Sequence, residues 1–262
     1  MKRNDWLTSF LFLRPSLQQP RVRKALTHKT ILITGASSGI GKELAQLIAA
    51  YDEPVTLHLV ARRAHILREM QVALTSEKVK VTIHALDLRD ERQCEEWLQQ
   101  LKEISFDYFI NNAGLSIHRS IFDSLDRFHD FKRTIAINYL APVQITLRLI
   151  PALARTKGHI INISTINVLM HPFPHWAAYQ ASKSAYHTWL LSAQPELKKQ
   201  HIDVSTIYLP LVRTPMITPT KHYQHTPAMS AENAAKIIVK TMYTKRKKYQ
   251  PWWMYVIKPF SF

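Results

Sequence analysis

The chain has 262 residues, of which 46% are hydrophobic, and a formal net charge of +16. That length suits one α/β domain with a full core, and no run reaches the ~18 apolar residues that a membrane-spanning helix needs. The single cysteine, Cys94, excludes an internal disulfide and a cysteine metal cluster and makes the cytoplasm the expected compartment, while the charge points to anionic lipid, nucleic acid or an anionic substrate, or to a basic surface without a partner.

Residues 1–28 read as an N-terminal extension. Trp6 to Leu13 (WLTSFLFL) is apolar and is flanked by Lys2, Arg3 and Arg14. Aromatic and basic residues together suit a helix lying in a membrane interface. Packing on the body of the protein or on a partner subunit is the equal alternative. Pro15 and Gln18-Gln19-Pro20 follow where a signal peptide would carry small residues.

His28 to Ile33 reads as a short buried strand, and Lys42 to Ala50 as a helix with an apolar face at Leu44, Leu47 and Ile48. Between them lies TGASSGIG, residues 34–41. Three of the five glycines, Gly35, Gly39 and Gly41, fall in this stretch. A chain sparing of glycine elsewhere uses it here for close backbone approach. Strand, glycine-rich turn and helix, in that order, aim amides and a helix N-terminus at a pyrophosphate. The second strand, Pro54–Ala61, ends in Arg62 and Arg63. A carboxylate at this place would hold the ribose of NAD. A guanidinium pairs with a 2′-phosphate instead, so NADPH is the expected cofactor unless both arginines merely open the next helix in solvent.

Val79–Leu86 reads as the third strand and leads to Asp87; Asp90–Leu101 reads as a helix, where Cys94 is not expected to be a catalytic thiol. The fourth strand, Phe106–Ile110, runs into Asn111-Asn112-Ala113-Gly114. Two helices follow, at about 122–131 and 134–155; the second has Asn138 near its start and Pro142 within it, which should bend it. Gly158 introduces the fifth strand, His159–Ser164. A loop to His175, a helix over Ala178–Gln200 and a sixth strand at Ile202–Leu209 come next. The loop from Met216 to Met229 is long enough to be a substrate lid. After a last helix, Ala231–Tyr243, the basic run Lys245–Lys248 precedes an aromatic tail. Met254–Ile257 is the predicted last strand, and the flanking tryptophans and lysines suit an anionic membrane surface. Strands alternating with helices at roughly 25-residue intervals predict an α/β fold. It would be a Rossmann-type doubly wound parallel sheet, one domain with helices on both faces.

The 13 histidines are scattered. Pro172 and Pro174 break the spacing of His171 and His175, and His222 and His225 share a polar loop, so no metal site is expected. Tyr179 and Lys183 stand four apart, which on a helix puts both on one face. A tyrosine with a pKa near ~10 is a poor acid or base at neutral pH, and a neighbouring ammonium would lower it.

TGASSGIG, Asp87, NNAG (111–114), Asn138, Ser164–Thr165, YQASK (179–183) and PLVRTP (210–215), in that order over about residues 29–240, identify the chain as resembling the short-chain dehydrogenase/reductase family. The resemblance implies that Gly35, Ser37, Ser38, Gly39, Ile40 and Gly41 line the pyrophosphate and adenosine of NADP. Arg62 would take the 2′-phosphate, Asp87 would sit by the adenine, and Asn112, Ala113 and Gly114 by the ribose. Val212 and Thr214 would hold the nicotinamide carboxamide, and Lys183 the nicotinamide ribose. Asn138 would support a water linking Lys183 to solvent, and Tyr179 would protonate the carbonyl oxygen during hydride transfer. Two positions depart from the family pattern. Thr165 stands 14 residues before Tyr179, one more than the family's serine; Thr165 is the favoured hydroxyl and Ser164 its rival, since strand alternation points the two apart. Leu211 stands where glycine is common.

A closer resemblance lies in NNAGLSIHRS, FDSLDRFHDFKRTIAINY and IYLPLVRTPMITPTKHY, which look like the reductase domain of bacterial fatty acyl-CoA reductases. It implies NADPH-dependent reduction of an acyl thioester, with Met216, Ile217 and Tyr223 lining an apolar channel and basic charge attracting coenzyme A phosphates. Reduction of a ketone or 3-oxoacyl or steroid substrate is the alternative, and a non-catalytic dinucleotide-binding scaffold is the reading from another class. Residues 29–244 would form the domain, with a lid at about 210–230 and a tail at 245–262. By analogy a dimer or tetramer would form through the two long helices. Residues 6–14 and 245–262 are the expected membrane contacts, and nucleic acid is not an expected partner because no recognition motif accompanies the charge.

Overall fold

A computed structural model describes residues 5–218, 220, 223 and 226–257. Two short helices, α1 (Asp5–Leu11) and α2 (Gln19–Leu26), precede a regular alternation. It runs β1 (Lys29–Thr34), α3 (Gly39–Ala49), β2 (Val55–Ala61), α4 (Ala64–Leu74), β3 (Val79–Ala85), α5 (Glu91–Gln100) and β4 (Tyr108–Asn111). Then come α6 (Phe128–Ile135), α7 (Ala141–Thr156), β5 (His159–Thr165), α8 (Ala177–Lys199) and β6 (Asp203–Leu209). A small ribbon of β7 (Val212–Arg213) and β8 (Met229–Ser230) leads to α9 (Ala231–Thr244), β9 (Lys248–Tyr249) and α10 (Met254–Ile257).

Seven parallel strands form the main sheet in the order β3-β2-β1-β4-β5-β6-β9. The strands read as nearly unbroken apolar runs because both faces are covered. In β1, Ile31 and Ile33 face a cluster with Leu44, Ile48, Leu67 and Ile238, from α3, α4 and α9. Leu32, between them, faces Trp97, Leu149 and Tyr186, from α5, α7 and α8. Each such side chain contributes ~1.5–3 kcal/mol on burial. The chain winds outward from β1 to β3 on one side and from β4 to β9 on the other. This reversal opens a crevice beyond the carboxyl ends of β1 and β4, where doubly wound folds hold ligands.

Of the two readings of the N-terminal segment, packing on the body holds for α2 and Phe12: Val22 and Leu26 are fully buried beside Ile238 and Met242, and Phe12 joins the same cluster. Other sequence expectations need correction. The two helices expected near 122–131 and 134–155 are instead a short 3-10 turn at Phe122–Ser124 and one run from α6 to α7. A π turn, Ala136–Leu140, interrupts that run, with the Ala141 N–H bonded to the Ala136 carbonyl. Pro142 therefore opens α7, where its missing N–H costs nothing. By length and composition the run Phe128–Thr156 would suffice to cross a membrane, which a search for unbroken apolar residues misses; its Ile145, Leu149 and Leu153 are buried on the sheet. Lastly, Lys248–Tyr249 is the edge strand, and Met254–Ile257 is a helix turn anchored by the fully buried Met254.

Candidate active site

A cavity of about 720 Å³ fills the crevice. At its floor the backbone of Gly35 is left-handed, with φ +70°. A Cβ on Gly41 would stand 2.5 Å from the Gly35 carbonyl oxygen, so neither position accepts a side chain without moving the turn. The buried Thr34 hydroxyl accepts the N–H groups of Asn112 and Ala113 at 3.0 and 3.1 Å, and Asn112 Nδ2 donates back to the Thr34 carbonyl at 2.9 Å. The turn after β4 is thereby locked to the turn after β1. Beneath them Asn111 Nδ2 donates to Asn162 Oδ1 of β5 at 3.1 Å.

One end of the cavity is cationic. Arg63, although exposed, donates to the Ser37 carbonyl at 2.9 Å and to its hydroxyl at 3.1 Å, bracing the glycine turn. Arg62 stays exposed, its guanidinium 4.0 Å from Asp87. Asp87 is gripped by Arg89 Nη2 at 2.6 Å, and this bond holds its carboxyl below the usual carboxylate range. Three guanidiniums against one carboxylate leave a net positive end suited to a phosphate. Sequence reasoning missed Arg89; the short spacing from Asp87 was its signal.

At the other end, β5 and α8 bring Thr165, Tyr179 and Lys183 together. The Thr165 hydroxyl hydrogen-bonds with the Tyr179 phenol and accepts the Asn167 N–H at 3.3 Å. Ser164 Oγ is buried without a partner, although Ser164 also lines the cavity. Burial pushes the Tyr179 phenol up to about 12, opposed by its bond to Thr165. The Lys183 ammonium, on the same face of α8, donates to the Ile163 carbonyl at 3.3 Å. Burial pulls Lys183 itself down to about 8.

Asn138 sits in the π turn behind this pair. Its Nδ2 donates to the Leu115 carbonyl at 2.8 Å and to Ser182 Oγ at 2.9 Å, and its Oδ1 accepts the Leu115 N–H at 3.0 Å. Pro142, four residues on, has no N–H to offer the Asn138 carbonyl. Ser182 in turn donates to the Tyr179 carbonyl at 2.8 Å. Of the predicted catalytic and cofactor-binding residues, Asn138 and Gly41 do not line the cavity; Gly35, Ser37, Ser38, Gly39, Ile40, Arg62, Asp87, Asn112, Ala113, Gly114, Val212 and Thr214 all do. Leu211 has no left-handed backbone, so its side chain costs no strain, and its carbonyl accepts the Met229 N–H at 2.9 Å.

Beyond Tyr179 the wall is apolar, with Met170, Phe173, Trp176, Met216, Ile217 and Tyr223. The Trp176 ring lies 6.0 Å from that of Tyr223 and 5.5 Å from that of Tyr179. Residues 219, 221, 222, 224 and 225 of the expected lid, His222 and His225 included, lie outside the described residues. Phe173 and Trp176 went unread in the sequence, though two aromatics just ahead of YQASK were a usable signal. Cys94 is buried in the core between α5, α7 and α8 and does not line the cavity, its thiol pushed up to about 12 by burial.

Residues 29–225 match the short chain dehydrogenase family. A fatty acyl-CoA reductase of Acinetobacter baylyi is 42% identical over 229 residues, 86% of this chain and 77% of its own. A fatty acyl-CoA reductase of Mycobacterium tuberculosis is 36% identical over 244 residues, 92% of this chain and 81% of its own. Among solved structures, the NADPH complex of a short-chain dehydrogenase from Sphingobium yanoikuyae shares the fold with a TM-score of 0.75 at 23% identity, over 84% of this chain and 86% of that one.

Proposed function

The chain belongs to the short-chain dehydrogenase family, and from that premise we propose that it uses NADPH to reduce long-chain fatty acyl-CoA to fatty aldehyde. One observation carries the reading: a single cavity joins the Arg62 end, through Tyr179 and Lys183, to the apolar wall at Trp176 and Met216. Two relatives named fatty acyl-CoA reductases, at 42% and 36% identity, support the substrate.

The residues fit the cofactor. Gly35 and Gly41 leave a cradle that a Cβ would fill, and no carboxylate stands at the end of β2 to repel a 2′-phosphate. Arg62 would pair with that phosphate, Ser37 and Gly39 would face the pyrophosphate, and Val212 and Thr214 the carboxamide. NADPH supplies the hydride when bound. Tyr179, protonated throughout the neutral range, holds its proton at Oη for the thioester carbonyl oxygen, and Thr165 orients that oxygen. Lys183 offsets the charge left on the phenolate. The thiohemiacetal so formed releases the aldehyde and the coenzyme A thiol.

Two surfaces belong to the same proposal. The termini support contact with an anionic membrane: Trp6, Phe10 and Leu13 are exposed near one end of the chain, and Trp252, Tyr255 and Val256 near the other. The Phe10 and Trp252 rings meet edge-on at 5.0 Å and join the two segments. Exposed Leu147 on α7 and Leu191 on α8 support pairing of two copies through these helices. The test of the activity follows NADPH oxidation with palmitoyl-CoA and then with a panel of ketones, identifying each product. Aldehyde from the thioester is expected; turnover of ketones alone would replace this reading with that of an alcohol dehydrogenase.

A further inference from the structure

Asp130, in the first turn of α6, is 1% exposed and faces more positive charge than it can neutralise. Arg119 Nε donates to its Oδ2 at 3.1 Å, Arg133 Nη2 donates to its Oδ1 at 2.6 Å, and His129 Nε2 lies 3.3 Å from Oδ1. Arg127 Nε lies 3.6 Å from Oδ2, beyond hydrogen-bonding distance. Three guanidiniums around one carboxylate leave two net charges even with His129 neutral. Burial opposes ionisation of Asp130, and the surrounding cations Arg133, His129, Arg119 and Arg127 overcome it, holding the carboxyl below its usual range.

This cluster keeps donors in reserve. Nε of Arg127 and Nε of Arg133 are both buried with no hydrogen-bond partner, an arrangement that folded proteins ordinarily avoid. Each of the three arginine side chains also keeps a third or more of its surface in solvent. The cluster touches the reaction site on two sides. Arg133 lines the cavity beside Leu115 and Ile137. The Arg119 N–H donates to the His175 carbonyl at 2.8 Å, and the ring of the next residue, Trp176, lies 5.5 Å from that of Tyr179. Around it Phe122, Leu125 and Phe128 are exposed, and Lys132 Nζ sits over the Phe128 ring at 5.4 Å. Exposed aromatic rings beside guanidiniums suit a nucleotide: bases stack on such rings, and guanidiniums take phosphates bidentately.

We propose that Arg119, Arg127 and Arg133 form a second phosphate site, separate from the one at Arg62, that holds the phosphorylated nucleotide end of coenzyme A while the acyl thioester reaches Tyr179. This rests on the acyl-CoA reading and adds the handle by which the substrate is recognised. The Arg62 site takes the cofactor's phosphate, and the Arg133 site takes the substrate's.

The experiment titrates coenzyme A, without an acyl group, onto protein saturated with NADP, using wild type, Arg127→Gln and Arg133→Gln. Wild type should bind, and each variant should bind about tenfold more weakly, the size expected for a lost charge-assisted contact. No binding by wild type, or equal binding by all three, overturns the site. The same proteins are then compared on palmitoyl-CoA and on the palmitoyl thioester of N-acetylcysteamine, which has no phosphate. The ratio of kcat/KM for the first over the second should fall about tenfold in the variants, together with its salt dependence. An equal loss on both substrates would mean a structural role only. Because binding is read without turnover, coenzyme A binding with no thioester reduction would keep the site and remove the substrate reading; thioester reduction with an unchanged ratio would do the reverse.

Discussion

Tyr179 carries the largest single consequence. Its phenol, raised to about 12 by burial, is a proton donor at any neutral pH, so Tyr179→Phe should lower kcat by roughly 10²–10⁴-fold, as loss of a general acid does, while NADPH affinity by fluorescence titration stays within twofold. Thr165 and Ser164 are separable by the same assay. Thr165 bonds the phenol and Ser164 has no partner, so Thr165→Val should cost at least about tenfold in kcat and Ser164→Ala much less; the opposite order would exchange their roles. Lys183 sets the pH profile. Its pKa is drawn down to about 8 by burial, so the ammonium is present at pH 7 and is lost as pH rises through that value. Reductase kcat/KM for the free enzyme should therefore be level near neutrality and fall above about pH 8, whereas a profile flat to pH 10 would remove Lys183 from the charged role.

At the scale of elements, what was legible in the sequence was whatever is local. TGASSGIG is a strand end, a turn and a helix start, all fixed by neighbours in the chain, and Tyr179 and Lys183 share one helix turn. The glycine turn leaves no room for change: Gly41→Ala would drive a Cβ against the Gly35 carbonyl. Overpacking of this kind costs ~1–3 kcal/mol, and for a chain of this size each kcal/mol lowers Tm by about 2–4 °C; scanning calorimetry should show that loss, together with weaker NADPH binding. What was not legible depends on distant partners. No periodicity marks the π turn at Asn138, which exists because its side chain closes on Leu115 and Ser182 from two other elements. The cluster around Asp130 gathers Arg119 from a loop and Arg127 and Arg133 from either side of a helix start. Met254–Ile257 alternates like a strand, yet Lys248–Tyr249 already pairs with Thr206 and Ile207 at that edge, and a lysine there discourages further pairing.

For the whole molecule, the distribution of charge matters more than its total of +16. Residues 1–28 hold six Lys or Arg against Asp5, and residues 245–262 hold five against no acidic residue. The fold brings these two ends together at Phe10 and Trp252, whose indole N–H donates to the Phe10 carbonyl at 3.2 Å. Tryptophans beside lysines favour an anionic bilayer surface. Sedimentation with phosphatidylglycerol vesicles should therefore capture the protein at low salt, and the double variant Phe10→Ser, Trp252→Ser should remain in the supernatant; equal capture of both would dismiss this patch. Trp253, the next residue, lines the cavity, so the surface that would meet lipid lies directly behind the wall of the site that would receive an acyl chain.

The central claim is that this cavity transfers a hydride to a thioester carbonyl under the control of Tyr179. It is tested most directly by supplying NADPH deuterated at the transferred position of the nicotinamide ring, together with palmitoyl-CoA, and weighing the product. Wild type should give hexadecanal carrying one deuterium on its carbonyl carbon, and Tyr179→Phe should give almost none. Unlabelled aldehyde, no aldehyde, or labelled aldehyde at an undiminished rate from the variant would contradict it.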